Sequence, residues 1–191
     1  MKPLARPNWA GKTVVCIASG PSLTQEDCEA VRGNVVIVTN TTFRLVPWAD
    51  VLFAMDQKWW TEYHREVAET FKGRKVSVVQ GAKRFGAETT YGAAWFRGFG
   101  NSGSGALAFA IAGNPARVLM LGFDCQATGG KTHWHGDHPK SLSNARSLPR
   151  WPRAFQSAAA HARGKGVKVL NCSRETALTC FERVPLEVAL G

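Results

Sequence analysis

Short apolar runs of strand length recur along the chain, and stretches with helical spacing separate them. Residues 13–18 (TVVCIA), 35–39 (VVIVT), 51–54 (VLFA), 76–79 (VSVV), 117–121 (RVLML) and 167–170 (VKVL) read as six strands. Residues 23–32, 58–71, 104–112 and 151–164 read as helices. Runs that are apolar at both alternating positions suit strands covered on both faces, which implies a mainly parallel sheet. The alternation of the two element types predicts an α/β, Rossmann-like three-layer architecture. At 191 residues the chain has room for one such domain, spanning 1–191, and no repeat or low-complexity linker divides it. The longest stretch without a regular pattern, 122–150, leaves the end of the fifth strand. A loop of that length reads as a lid or catalytic loop, and it departs from the sheet edge where open α/β folds bind ligands.

Two glycine-containing turns carry candidate anion-binding chemistry. Ser19-Gly20-Pro21-Ser22 follows the first strand directly, with Gly20 free to approach a ligand, Pro21 suited to a first helical turn and Ser19 or Ser22 able to cap it. The same residue types also make an ordinary strand-to-helix turn. Arg97–Gly105 (RGFGNSGSG) opens a helix and formally contains G-x-G-x-x-G, with Asp124 some twenty residues on. The dinucleotide fingerprint belongs at a first strand rather than mid-chain, so the physical content is a loop fed into a helix N-terminus. Thr128-Gly-Gly-Lys131-Thr132 is not a phosphate loop of the Walker type, because Cys125 stands where that motif needs glycine.

Three of the five histidines, His133, His135 and His138, crowd with Asp137 into six residues of the long loop. His133 and His135 point the same way if the backbone is extended. General-base or phosphate-contact chemistry, a metal site and plain loop histidines are the three readings of this cluster. Asn40 ends the second strand, and Asp50 and Asp56 flank the third, where polar side chains either meet ligand or cap turns. Trp59 and Trp60 read as core rather than as a sugar-stacking platform.

Composition sharpens this only modestly. A net charge of +10 favours anionic partners such as nucleic acid, phosphorylated substrates or acidic glycans, yet no long basic tract concentrates it. The five cysteines (Cys16, Cys28, Cys125, Cys172, Cys180) form no C-x-x-C pair, which predicts reduced, mostly buried thiols. No apolar run approaches the roughly 20 residues that cross a bilayer. Residues 1–13 lack the apolar stretch of a signal peptide, so the expectation is a cytoplasmic protein with no membrane partner.

In order along the chain stand Ser19-Gly20-Pro21-Ser22-Leu23 after a strand, Asn40, Ala49-Asp50, Ser102-Gly103 opening a helix, Leu121-Gly122-Phe123-Asp124, a late-loop histidine, and Asn171-Cys172-Ser173 with Thr176-Ala177-Leu178. This order resembles the bacterial sialyltransferases of the campylobacter type and the related 6-hydroxymethylpterin diphosphokinase-like proteins, a group also common in tailed-phage genomes. The resemblance covers roughly residues 13–188. It implies a sialyltransferase-like variant of the GT-A fold and a glycosyltransferase that uses a nucleotide-activated, CMP-sugar-like donor. No metal or other cofactor is implied. By position it marks Ser19, Gly20, Pro21, Ser22, Asn40, Ser102, Gly103 and Asp124 as donor-binding, with His138 or His135 as general base and His133 and Asp137 beside them. The late loop lacks the family's paired tyrosines, which leaves Lys131, Thr132, a histidine or an arginine to meet phosphate. The implied acceptor is a hydroxyl, and the basic charge admits a phage DNA base as its carrier. A second enzyme reading is magnesium-dependent pyrophosphoryl transfer using Asp56 and Asp124, and a third is a non-catalytic nucleotide- or nucleic-acid-binding accessory protein.

Overall fold

A computed structural model of the chain describes residues 4–142 and 148–191; the end of the long loop, at 143–147, lies outside the described residues. Eight strands form one sheet: β1 (Thr13–Ile17), β2 (Val35–Thr39), β3 (Val51–Phe53), β4 (Arg74–Ser77), β5 (Glu88–Thr89), β6 (Arg117–Leu121), β7 (Lys168–Asn171) and β8 (Glu182–Arg183). Their order is β5-β4-β3-β2-β1-β6-β7-β8, and every pairing is parallel. The six predicted strands are all present, although β4 starts two residues before the apolar run at 76–79. The two edge strands are additions of two residues each, too short to leave a periodic signal.

Both faces of the sheet are covered, as the apolar runs require. In β1, Val15 and Ile17 join a core with α1 (Gln25–Ala30), α2 (Gln57–Thr70) and α5 (Leu186–Leu190). Val14 and Cys16 join the opposite core with α3 (Ser102–Ala112) and α4 (Trp151–Gly164). The architecture is therefore α/β with three layers, of the Rossmann-like kind. Helix α2 buries Trp59, Trp60, Tyr63 and Val67, spaced to keep one side of the helix against the sheet. Trp60 donates to the Ala54 carbonyl at 3.0 Å and Trp59 to Thr41 Oγ1 at 3.3 Å, so both indoles are core residues with satisfied N–H groups. Among the described residues no helix is long and apolar enough to cross a membrane.

The topology has one reversal. From β1 the chain winds outward through β2, β3, β4 and β5, then returns through α3 to place β6 on the other side of β1. The gap beyond the C-terminal ends of β1 and β6 is the switch point of the sheet, where neighbouring loops part to opposite sides and leave a crevice.

Candidate functional site

A cleft of about 520 Å³ opens at this switch point, within the range of small-molecule sites. Its wall is built from the ends of four strands and the starts of three helices, α2, α3 and α4. Ala18, Ser19 and Gly20 come from the end of β1, Thr39 and Asn40 from β2, Met55 from the end of β3, and Asp56 and Gln57 from the start of α2. Gly122 and Phe123 follow β6, and Gly100–Gly103 lead into α3. Trp151 and Phe155 of α4 complete one side, and Thr132 and His133 of the long loop complete another. The expected donor-site positions Ser19, Gly20, Asn40, Ser102 and Gly103 thus converge on one edge.

Helix α3 begins at the cleft with a capping box: Asn101 Oδ1 accepts from Ser104 N at 2.9 Å, and the Ser104 hydroxyl accepts from Asn101 N at 3.3 Å. Ser102 Oγ accepts from Met55 N at 3.1 Å, which fixes this end of α3 to the end of β3. The first turn of the helix, at Ser102 and Gly103, therefore lies against the cleft with its positive dipole end. Gly103 is closely packed, because a Cβ there would lie 3.2 Å from Phe123 and 3.4 Å from Phe155.

Three amide atoms in this wall are buried without a hydrogen-bond partner among the described residues: Asn40 Oδ1, Gln57 Nε2 and Asn101 Nδ2. Buried polar groups are normally paired, and each orphan costs on the order of 1–3 kcal/mol. Asn40 also adopts a left-handed backbone, φ +48°, which asparagine tolerates better than most side chains and which turns the chain out of β2. One acceptor and two donors in a 520 Å³ cleft match a polar ligand with both kinds of group. Asn101 and Gln57 were not singled out by sequence. The cap pattern of Asn101 before Ser-Gly-Ser was a usable signal; Gln57 left none, since it stands one residue ahead of the predicted helix start.

Several of the residues expected to meet ligand make structural contacts. Gly20 N donates to the Gly122 carbonyl at 2.7 Å, and Ser22 donates to Asp124 from both its N (2.9 Å) and its hydroxyl (2.8 Å). Asp124 accepts from Thr128 Oγ1 as well and is fully buried. Burial holds its carboxyl above the usual range, against these hydrogen bonds. Pro21 does not enter a first helical turn and Ser22 caps no helix, because α1 starts only at Gln25 and Thr24 supplies its cap. Pro21, Ser22, Asp124 and the exposed Lys131 do not line the cleft. Asp50 sits before β3 at the far edge of the sheet, where it accepts from Val36 N at 2.8 Å. Cys125 reaches the cleft, but burial pushes its thiol up to about 12, so it is no thiolate nucleophile. The segment after β7 acts as a latch. Ser173 Oγ accepts from Phe123 N at 2.8 Å, and the Thr176 hydroxyl donates to the Phe123 carbonyl at 2.8 Å.

The histidines divide. His133, only 6% exposed, belongs to the cleft wall, whereas His135, His138 and the exposed Asp137 face a shallow depression with Arg44, Tyr63 and Glu66. The residues preferred by sequence as general base are thus set back from the cleft, and the one on its wall is their neighbour. Burial pushes the His133 imidazole down to about 4 and His135 to about 3, with the His138 ring adding to both shifts. His138 is lowered too, by burial and then by Arg44. No protein-family model matches the chain, and no curated protein matches it.

Proposed function

We propose that the chain binds a nucleotide-activated donor in the switch-point cleft and transfers the donor's group to a hydroxyl acceptor, in the manner of the sialyltransferase-like enzymes it resembles. The observation that carries this reading is the set of three orphaned amide atoms, on Asn40, Gln57 and Asn101, beside the start of α3. Mixed donors and acceptors suit the edge of a nucleobase or a ribose, and a helix N-terminus suits a phosphate. No Lys or Arg is among the described residues that line the cleft, so the helix starts on its wall, at Gln57, Ser102 and Trp151, are its positive features. That balance favours a donor joined through a single phosphate over a diphosphate. His133, neutral near pH 7, is the histidine of the cleft wall and so the base this reading calls on for the acceptor hydroxyl. Pyrophosphoryl transfer is less well supported, because Asp124 is turned into the protein by Ser22 and Thr128 and does not share the cleft with Asp56.

Calorimetric titration with CMP, UMP, GMP and AMP, and with the corresponding diphosphates, tests the reading. One monophosphate should bind, and Asn40→Ala should weaken it about 3–10-fold, the worth of one neutral hydrogen bond. Asn101→Ala should do the same and also lower stability by about 1 kcal/mol through the lost helix cap. A chain that binds none of these nucleotides, or variants that bind as tightly as the parent, would sink the proposal.

A further inference from the structure

The histidine cluster has a geometry that packing does not require. One ring nitrogen from each of His133, His135 and His138 lies within 4.8 Å of the others. The rings of His133 and His135 stack at 5.1 Å with an interplanar angle of 20°, and His138 closes the triangle at 5.1 and 4.7 Å from them. The local chain explains how six residues achieve this. The chain bends at His133 and turns through Trp134 and His135, with the Trp134 ring packed against the core and its backbone N–H donating to the Ser19 carbonyl at 3.1 Å. The Gly136 N–H closes this turn on the His133 carbonyl at 3.2 Å, and Gly136, at φ +81°, leads the chain on to His138, whose ring lies beside the other two.

We propose that His133, His135 and His138 form a binding site for one divalent transition-metal ion of the zinc class, at the rim of the cleft. Three imidazoles are borderline-soft ligands of the kind zinc, cobalt and nickel select. Nitrogens about 2.0–2.1 Å from a tetrahedral ion stand about 3.4 Å apart, so the present spread closes by small ring movements. His135 Nε2 is buried without a partner among the described residues, which points to a ligand rather than to a structural hydrogen bond. The outer contacts are of the kind that orient ligating histidines: Thr132 Oγ1 lies 3.1 Å from His133 Nδ1, and Tyr63 Oη lies 3.3 Å from His138 Nδ1. Arg44, in the same depression, is held by Glu66 through paired bonds of 2.6 and 2.7 Å, and Asp137 adds a negative charge at the rim. Among the described residues no fourth histidine, cysteine or carboxylate joins the group. Three protein ligands with an open position are the arrangement of catalytic rather than structural zinc. Because His133 also lines the cleft, that position is within reach of a bound ligand.

The site shares His133 with the cleft but does not depend on the nucleotide reading, so its test reads metal and not turnover. Untagged protein stripped with chelator and dialysed should take up one equivalent of Zn²⁺ per chain in competition with a chromophoric chelator. Co²⁺ should give the visible d–d absorption of a four- or five-coordinate ion. His133→Ala, His135→Ala and His138→Ala should each abolish stoichiometric uptake, and Thr132→Val should weaken it about 10–100-fold. His64→Ala, on α2 with its ring packed on Phe85 and outside the cluster, should leave uptake unchanged. Where an alanine variant fails to fold by circular dichroism, the corresponding glutamine variant replaces it. Wild-type protein that binds no Zn²⁺ or Co²⁺ at stoichiometric concentration, or a triple variant that binds as the parent does, overturns the proposal.

Discussion

At the scale of single residues, the side chains after β1 and β6 form a mutual brace, and its parts can be tested separately. A Cβ on Gly20 would lie 2.5 Å from the Gly122 carbonyl oxygen and closer still to Asp124 Oδ1. Gly20→Ala should therefore cost about 1–3 kcal/mol or more in urea unfolding, since backbone on one side cannot yield. Unchanged stability would mean that the two loops are not held in this register. Asp124 makes a pH-dependent prediction. Burial raises its carboxyl and the charge of Glu175 adds to this, while Ser22 and Thr128 lower it. A carboxyl whose folded pKa exceeds its unfolded one binds its proton more tightly when folded. It therefore adds stability as pH falls through the folded pKa toward the unfolded one. Asp124→Asn cannot titrate, so the stability difference should shift in favour of the wild type from about pH 7 to about pH 4. Parallel pH profiles would refute the assignment. The sequence marked both residues, but as ligand contacts. A glycine admitted by a neighbouring carboxylate and one admitted by a phosphate look identical in sequence, and only the packing tells them apart.

At the scale of elements, legibility followed burial. Helix α4 coincides with its predicted span of 151–164, because its apolar positions repeat on one face and the rest of the helix is polar. Helix α3 was recognisable for a different reason, its unbroken run of small and apolar residues, which are buried from Ser104 through Ala112. A helix so enclosed depends on tight packing. Leu107, fully buried against the sheet, should cost about 2–5 kcal/mol when replaced by alanine. Val188 of α5, 65% exposed, should change stability by no more than about 0.5 kcal/mol on the same substitution. Equal effects at the two sites would contradict the layer assignment. The elements that escaped sequence reading, β5, β8 and α5, are two to five residues long and sit at the margins of the sheet. Their positions are dictated by neighbours already in place, β5 by β4 and β8 by β7, rather than by a pattern of their own.

At the scale of the molecule, the two hydrophobic cores share a single wall, and this decides how the protein unfolds. Alternate residues of β1 belong to opposite cores, and β1 pairs with β2 on one side and β6 on the other. Separating either half would expose the open edge of the central strand and strip one face of the sheet, so neither core has a stable remainder without the other. The N-terminal segment strengthens this coupling: Trp9 packs edge-on against Phe109 of α3, and its backbone N–H donates to the Gly113 carbonyl at 2.7 Å. Tryptophans report on both faces, Trp59 and Trp60 with one core and Trp9 and Trp95 with the other. Unfolding followed by tryptophan fluorescence should therefore coincide with unfolding followed by far-ultraviolet circular dichroism. Leu107→Ala, placed in only one of the cores, should move both curves by the same amount. Two separated transitions, or a substitution that shifts the fluorescence curve and leaves the dichroism curve in place, would show that the layers melt independently and that the shared sheet does not couple them.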